Sequence, residues 1–336
     1  MLNLCSVLQA ISAGERFLLS SHQSIDGDGL GSMLAFDSLL RYLRKETVMV
    51  YDGIVPYFYS FLPGVERVHS CERYFEIERP DSWVFVALDC SNPERMGEAD
   101  RIRRQCGLVI NIDHHPDNIM FGHVNLVDHD APASSLLIYE LHKNLGITID
   151  SATAIQILTG LITDTGGFQF TELNPKLLTI LGELVATGAS VAAIIRYVFK
   201  YRRSEALRLL GRALNNLDYF PKYNCSITYL SREDFIACGA FEEDAEGIVD
   251  YGLHIQEAEI SFFIKEMKPG HNKVSLRSQG RINVLPIAQY FGGGGHYKAA
   301  GFKINGTLIQ VKDRLLACLA DFSLTRNSVP SGEGGR

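Results

Sequence analysis

Hydrophobic positions along this chain fall into two textures. In the first half, short unbroken apolar runs alternate with stretches of helical periodicity. Residues 17–20, 47–51, 83–88 and 107–112 read as strands buried on both faces, because apolar side chains fill both alternating sets. Between the first two, Leu30, Leu34, Leu39, Leu40 and Leu43 recur at helical spacing, and residues 2–13 and 95–106 also carry a helical pattern. Strands alternating with helices predict a parallel sheet covered on both faces. Helices are expected over 133–145, 152–163, 175–186 and 191–217. Gly188 suits the end of the third and Ser190 the N-cap of the fourth. From Phe220 onward, shorter strands at 226–229, 258–264 and 273–277 mix with helices at 243–251, 284–290 and 308–322. The expected fold is α/β: an N-terminal parallel-sheet domain with helices on both faces (1–189), a helical linker (190–218) and a smaller C-terminal α/β domain with a mixed sheet (219–325). Residues 326–336 lack apolar anchors and read as a disordered tail.

Composition adds limits. The chain has 336 residues, 46% hydrophobic and 21% charged, which is ordinary for a soluble protein and enough for two domains. No window is long and apolar enough for a transmembrane helix, and the start lacks the basic and apolar regions of a signal peptide. The seven cysteines (5, 71, 90, 106, 225, 238 and 318) include no Cys-x-x-Cys pair, so reduced thiols in the cytoplasm are the simplest expectation. A net charge of −7 argues against coating long nucleic acid by bulk electrostatics. The distribution is uneven, however. Residues 267–312 contain no Asp or Glu but carry Lys268, Lys273, Arg277, Arg281, Lys298, Lys303 and Lys312, with His271 and His296, which points to a local anion site.

The candidate chemistry sits where apolar strands end. The first runs into His22, Asp26 and Asp28; another ends at Asp89; another at Asp113, His114 and His115; and a helix runs into Asp164. Ligands of open parallel sheets bind beyond the carboxyl ends of the strands, so these groups converge. Two carboxylates about 4 Å apart repel by roughly 4 kcal/mol at an effective dielectric of 20. No lysine lies in these loops to offset that repulsion, so either the acids are spread apart and solvated or a multivalent cation holds them. Carboxylates with a minority of imidazoles and no thiolate favour Mn²⁺, with Mg²⁺ or Co²⁺ as substitutes. The ligand set exceeds one ion's needs, so a pair of ions bridged by a carboxylate is expected, as in two-metal phosphoryl chemistry.

Farther along, Gly292, Gly293, Gly294 and Gly295 precede His296. Ordering four glycines is entropically expensive, and the expectation is a backbone that approaches a phosphate closely, with Arg277 and Ser278 nearby. Ser134 and Ser135 read first as helix caps and second as phosphate contacts. His123, His129 and His142 read as structural or solvated, and Lys200 to Arg203 as a solvated helix face. Arg95 is a weak candidate for reaching an anion.

Taken together, the metal-capable groups in this order, followed by Arg277-Ser278 and the glycines with His296, resemble the DHH/DHHA1 phosphoesterases over residues 15–322, and within them the stand-alone oligoribonuclease type. The resemblance implies that one Mn²⁺ takes His22, Asp26 and Asp89, and the other Asp28, Asp89, His114 and Asp164. It implies that His115 meets the scissile phosphate and that Asp113 orients a neighbour. Substrate would be held by Arg277, Ser278, Gly293, Gly294, Gly295 and His296. The implied substrates are short RNA and 3′-phosphoadenosine-5′-phosphate. Cyclic di-AMP or its linear product pApA is the alternative, and a non-catalytic nucleotide or RNA binder is the alternative of another class. No membrane and no obligate protein partner are implied, and a homodimer is left open. Members often carry Pro before the first Asp, where this chain has Ile25. The length leaves no room for the extra nucleic-acid-binding domain of RecJ-type exonucleases, and the glycine signature differs from that of family II pyrophosphatases.

Overall fold

A computed structural model describes residues 4–169 and 171–326; the expected tail beyond 326 lies outside the described residues. The chain divides into two units, Met1–Tyr201 and Arg202–Arg336.

The first unit is built on strands β1 (Arg16–Ser20), β2 (Glu46–Tyr51), β3 (Val68–Ser70), β4 (Trp83–Leu88), β5 (Leu108–Asp113) and β6 (Val124–Val127). All pair in parallel, in the order β3-β2-β1-β4-β5-β6. Its helices are α1 (Leu4–Ala13), α2 (Gly27–Tyr42), α3 (Ala99–Arg103), α4 (Ser134–Asn144), α5 (Ser151–Asp164), α6 (Pro175–Ala186) and α7 (Val191–Ile195). Alternation along the strands feeds two cores. Phe17, Leu19, Val86, Leu88, Ile110 and Ile112 join α1, α2, α4 and α5 on one face; Leu18, Val50, Phe85, Ala87 and Val109 meet α3 and short 3₁₀ turns on the other. Both faces are covered, unequally. The edge strands β3 and β6 were not expected; at three and four residues with polar members, they carry no apolar run.

From β1 the chain winds outward through β2 and β3, then returns to β4 and winds the other way. The crevice beyond the carboxyl ends of β1 and β4 is therefore a topological switch point, where open α/β sheets bind ligands. Helix α2 begins three residues earlier than its leucine spacing suggests. Its N-cap Asp26 accepts from the backbone N–H groups of Asp28 and Gly29, both at 3.0 Å, which starts the helix despite its glycines. Those glycines serve packing: a Cβ on Gly31 would stand 2.4 Å from the Gln156 carbonyl oxygen of α5.

The expected helix over 191–217 is interrupted. Helix α7 gives way to a π turn at Arg196–Lys200, Tyr201 is extended, and helix resumes at α8 (Ser204–Asn215). The second unit continues with α9 (Arg232–Cys238), α10 (Ile248–Tyr251), α11 (Leu285–Tyr290) and α12 (Leu308–Arg326). The expected helix at 243–251 is also split, because Gly247 adopts a left-handed conformation (φ +79°) between a 3₁₀ turn and α10. The strands are β7 (Leu217–Phe220), β8 (Cys225–Leu230), β9 (Ile260–Lys268), β10 (His271–Ser278), β11 (Gly294–Gly295) and β12 (Ala299–Asn305), in the order β11-β12-β10-β9-β8-β7. Only β8 and β9 pair in parallel, so the sheet is mixed. One face packs Ile227, Phe262, Val274, Leu276 and Phe302 against α11 and α12; the other packs Leu230 and Phe263 beneath α8, α9 and α10.

Candidate metal centre

Three parallel strands deliver their next residues to the switch point. Beyond β1, the buried His22 directs Nε2 to within 3.5 Å of Asp89 Oδ2 and 3.8 Å of Asp26 Oδ1. Asp89 follows β4 directly. Its backbone N–H still donates to Ile112 of β5 at 2.9 Å, while its φ of +54° turns the chain into the left-handed region, at a cost of about 1 kcal/mol. The turn points the carboxylate across the strand ends. Oδ2 faces His22, whereas Oδ1 lies 3.6 Å from His114 Nε2 and 3.5 Å from His115 Nδ1.

Beyond β5 the two imidazoles diverge. His114 Nδ1 lies 3.0 Å from the Ala131 carbonyl, which can only accept, so Nδ1 carries a proton and Nε2 points into the cluster. There Nε2 is 3.2 Å from Asp164 Oδ2, at the last residue of α5, and 3.8 Å from Asp28 Oδ2. His115 turns Nδ1 onto Asp113 Oδ1 at 2.8 Å, and Asp113 is itself held by the Asn118 amide at 2.5 Å. Asp113 thus holds the ring of His115.

These groups fit a divalent ion pair. Two atoms sharing one ion at about 2.1 Å stand roughly 3.0–3.5 Å apart, and the separations of 3.2–3.8 Å lie within and just beyond that range. The buried His22 Nε2 has no hydrogen-bond partner among the described residues. The ligand groups include His22, Asp26 and Asp89 on one side and Asp28, Asp89 and His114 on the other, with Asp89 common to both and also grouped with Asp113 and His115.

Burial opposes charge throughout, and neighbours decide the outcome. At His22 burial pushes the imidazole down, but Asp26 and Asp89 outweigh it and the pKa rises to about 9. At His114 burial is outweighed by Asp164, Asp89 and Asp28, giving about 10. Burial, reinforced by the charge of Asp89, holds Asp28 well above the usual carboxylate range, and burial raises Asp164 to about 6 against the pull of His114. At Asp89 burial is overcome by His22, His115 and His114, which hold it well below that range. Without metal, the cluster balances buried anions with imidazolium protons that an ion would displace.

Several supporting residues were not anticipated in these roles. Neither Ser134 nor Ser135 caps α4 through its side chain; the N-cap position is Ala133. Instead Asp28 accepts the first N–H groups of α4, from Ser134 at 2.6 Å and Ser135 at 2.9 Å, a favourable place for a carboxylate at a helix N-terminus. The freed Ser134 hydroxyl donates to Asp89 Oδ1 at 2.9 Å. The paired small hydroxyl residues at a helix start were the available signal. Tyr51, at the end of β2, accepts from the Ile25 N–H at 3.2 Å and donates to the Gln23 carbonyl at 2.5 Å, clamping the His22–Asp26 loop. That clamp uses an N–H that proline would lack. Arg95 is engaged with Ser91, its backbone carbonyl accepts from Gln23, and His142 is buried against the Ile138 carbonyl.

The remaining expected residues form a group in the second unit. Arg277, on β10, stands 3.4 Å from Asp250, and its guanidinium donates to the Leu276 carbonyl. The Ser278 hydroxyl is occupied in its own turn, donating to Ile282 and accepting from Gly280. The glycines are not an open loop: Gly294 and Gly295 pair with Gly301 and Ala300 of β12, and a Cβ on Gly293 would stand 2.2 Å from the Gly301 carbonyl. Close approach to β12 therefore accounts for part of the glycine requirement. Through β12, this segment and Arg277 share one end of the sheet, and the His296 N–H donates to Ala299 at 2.6 Å.

A parallel sheet with acids and imidazoles at its switch point, followed by a mixed-sheet unit, defines a two-domain metal phosphoesterase, and the chain belongs to the DHH family. Residues 16–161 match the N-terminal domain of that family and residues 235–322 match the DHHA1 domain. The chain is 33% identical over 325 residues to the bifunctional oligoribonuclease and PAP phosphatase NrnA of Thermus thermophilus, covering 96% of this chain and 94% of that protein. It is 26% identical over 318 residues to NrnA of Bacillus subtilis, covering 93% and 96%. The crystal structure of an exopolyphosphatase-related protein from Bacteroides fragilis superposes with a TM-score of 0.86 at 27% identity, covering 95% of this chain and 96% of that one. The protein is accordingly a hydrolase of phosphoric esters. Among the described residues, no single helix is long and apolar enough to cross a membrane.

Proposed function

We propose that this protein is a Mn²⁺-dependent phosphoesterase acting on short oligoribonucleotides and on 3′-phosphoadenosine-5′-phosphate. The observation that carries the reading is Asp89, whose two oxygens face His22 on one side and His114 on the other. The NrnA relatives are named for these two substrates. Mn²⁺ is favoured over softer ions by a donor set of carboxylates and imidazoles without thiolate.

In this reading His22, Asp26 and Asp89 hold one ion, and Asp28, Asp89, His114 and Asp164 hold the other. When bound, the ions activate water and neutralise charge on the phosphoryl oxygens. The chain's own groups do the rest. Ser134 fixes the Asp89 carboxylate, and the first turn of α4 fixes Asp28. Asp113 anchors His115 through Nδ1, and His115 meets a phosphoryl oxygen, giving or taking a proton there. Residues 1–189 form the catalytic domain, 190–218 the connector and 219–325 the substrate-binding domain. Arg277 and His296 contact substrate, with Ser278 and Gly293 to Gly295 shaping the backbone around them. The protein works in the cytoplasm; its seven free cysteines suit a reducing compartment.

The test is a substrate panel with Mn²⁺: a linear dinucleotide, a pentanucleotide, 3′-phosphoadenosine-5′-phosphate and cyclic di-AMP. Rapid turnover of the linear substrates and the bisphosphate is expected. A strong preference for the cyclic compound would overturn the substrate assignment, and metal-dependent binding without turnover would overturn the enzymatic one.

A further inference from the structure

The π turn that follows α7 lies beside the metal centre. Asp164 ends α5, and the chain then passes through three left-handed residues, Gly166, Gly167 and Phe168 (φ +60°, +69° and +69°). A Cβ on Gly167 would stand 3.6 Å from Cε2 of Phe199. The Phe199 ring therefore rests near backbone that is three residues beyond the metal-facing acid, a stretch of at most about 11 Å.

The turn holds its aromatic side chains at the surface. The Tyr201 N–H donates to the Arg196 carbonyl at 2.8 Å, the five-residue bond of a π turn, and such single turns are frequent at functional sites. Ile194 and Val198 are anchored in the first core, whereas Arg196, Tyr197, Phe199 and Lys200 are exposed. Tyr197 stacks on Phe61, from the loop beyond β2, with centroids 4.6 Å apart and planes inclined by 12°; Tyr201 meets it edge-on at 5.2 Å. These contacts hold the turn to the unit that carries the metal centre. Phe199 is 41% exposed, with no polar end to offer to water. The charge around it has one sign: residues 184–204 contain no Asp or Glu, and Arg196 and Lys200 flank the ring in sequence.

Aromatic rings interleaved with cations suit a single strand of nucleic acid, whose bases stack on the rings while its phosphates meet the cations. Carboxylates, imidazoles and metal ions can hold a phosphate but offer nothing to a base. We propose that Phe199 is a stacking platform for a nucleobase of the substrate whose phosphate lies at the metal centre, with Arg196 and Lys200 meeting the charge of the strand. Stacking tolerates any sequence because every base has a π-face, which suits an enzyme of short RNA. The inference rests on the reading of linear oligoribonucleotides as substrates, and it adds the place where a base is held.

The test uses the full-length protein with Mn²⁺, a linear dinucleotide and the same dinucleotide without its bases. The readout is the ratio of kcat/KM on the two, in wild type and in Phe199→Ala, Phe199→Leu and Phe199→Trp. Phe199→Ala should lower this ratio by about 5- to 150-fold, the range for losing one base–aromatic stack. Phe199→Leu keeps apolar bulk without an aromatic face and should lose as much; Phe199→Trp should keep the preference. A second readout is fluorescence. The chain's single tryptophan, Trp83, is buried on β4, so quenching by the intact dinucleotide in Phe199→Trp, beyond that in wild type, reports a base on the added indole. A wild-type ratio in Phe199→Ala, restoration by Phe199→Leu, or no added quenching in Phe199→Trp would overturn the platform while leaving the substrate reading intact. Wild type that turns over no linear nucleotide would overturn both. Should Phe199→Ala fail to fold, the leucine and tryptophan variants decide by the same criteria.

Discussion

The Ser134 hydroxyl donates to Asp89 Oδ1 at 2.9 Å, reaching from the first turn of α4 to the loop after β4. It orients the carboxylate that both ligand groups share. Groups that hydrogen-bond to metal ligands typically matter 10- to 100-fold for metal affinity. Ser134→Ala should therefore weaken Mn²⁺ binding by about tenfold or more in a calorimetric titration, with little change in the melting temperature of the metal-free protein. Unchanged affinity would show that Asp89 is oriented without the serine.

Tyr51 supports the other side of the centre. Its hydroxyl joins Ile25 N–H and the Gln23 carbonyl, the two sides of the loop between His22 and Asp26. Tyr51→Phe keeps the ring and removes both bonds. Stability should fall by about 1–2 kcal/mol, and Mn²⁺ affinity by roughly tenfold. A stability loss with no change in affinity would reduce Tyr51 to a structural residue.

Much of this was legible in the sequence, for a physical reason. Strands buried on both faces write themselves as unbroken apolar runs, so β4 and the ends of β1 and β5 could be placed, and with them His22, Asp89 and His114. The edge strands β3 and β6, short and partly polar, carry no such signal. The start of α2 was hidden because Gly27, Gly29 and Gly31 are poor helix formers; the reason for Gly27 and Gly31 lies in the neighbouring α5, and that for Gly29 in Ser21 just beyond β1. Ser134 and Tyr51 were opaque because each acts across a gap of more than twenty residues, on a loop that only the sheet brings near. The four glycines pointed to close approach, but the partner was β12 as well as any ligand.

The α2–α5 contact beneath the site gives a stability prediction. A methyl on Gly31 would stand 2.4 Å from the Gln156 carbonyl oxygen and 3.2 Å from the Gly160 nitrogen, both backbone atoms that cannot move aside alone. Gly31→Ala should destabilise the protein by about 1–3 kcal/mol, as overpacking does. Chemical denaturation would measure it; an unchanged midpoint would mean that the two helices separate freely.

The pH dependence has two signs. In the metal-free protein, His22 is raised from 6.5 to about 9, so its protonated form stabilises the fold below pH 6.5 and that contribution is lost as the pH rises through about 9. Metal binding runs the other way. His22 and His114 must lose protons to become ligands, and Asp164, raised to about 6, must be ionised. Mn²⁺ affinity should therefore rise from pH 6 toward 9, with protons released on binding. Titrations in buffers of different ionisation enthalpy would report the release, and affinity independent of pH would contradict this assignment of ligands.

The central claim is that Asp89 joins two ions in one centre. Its most direct measurement is the Mn²⁺ stoichiometry, followed by the electron paramagnetic resonance signal of free Mn²⁺, in wild type and in Asp89→Ala. Two ions per chain are predicted for wild type, with both affinities reduced in the variant. A single ion per wild-type chain, or a variant that keeps one ion at full affinity, would contradict the shared carboxylate.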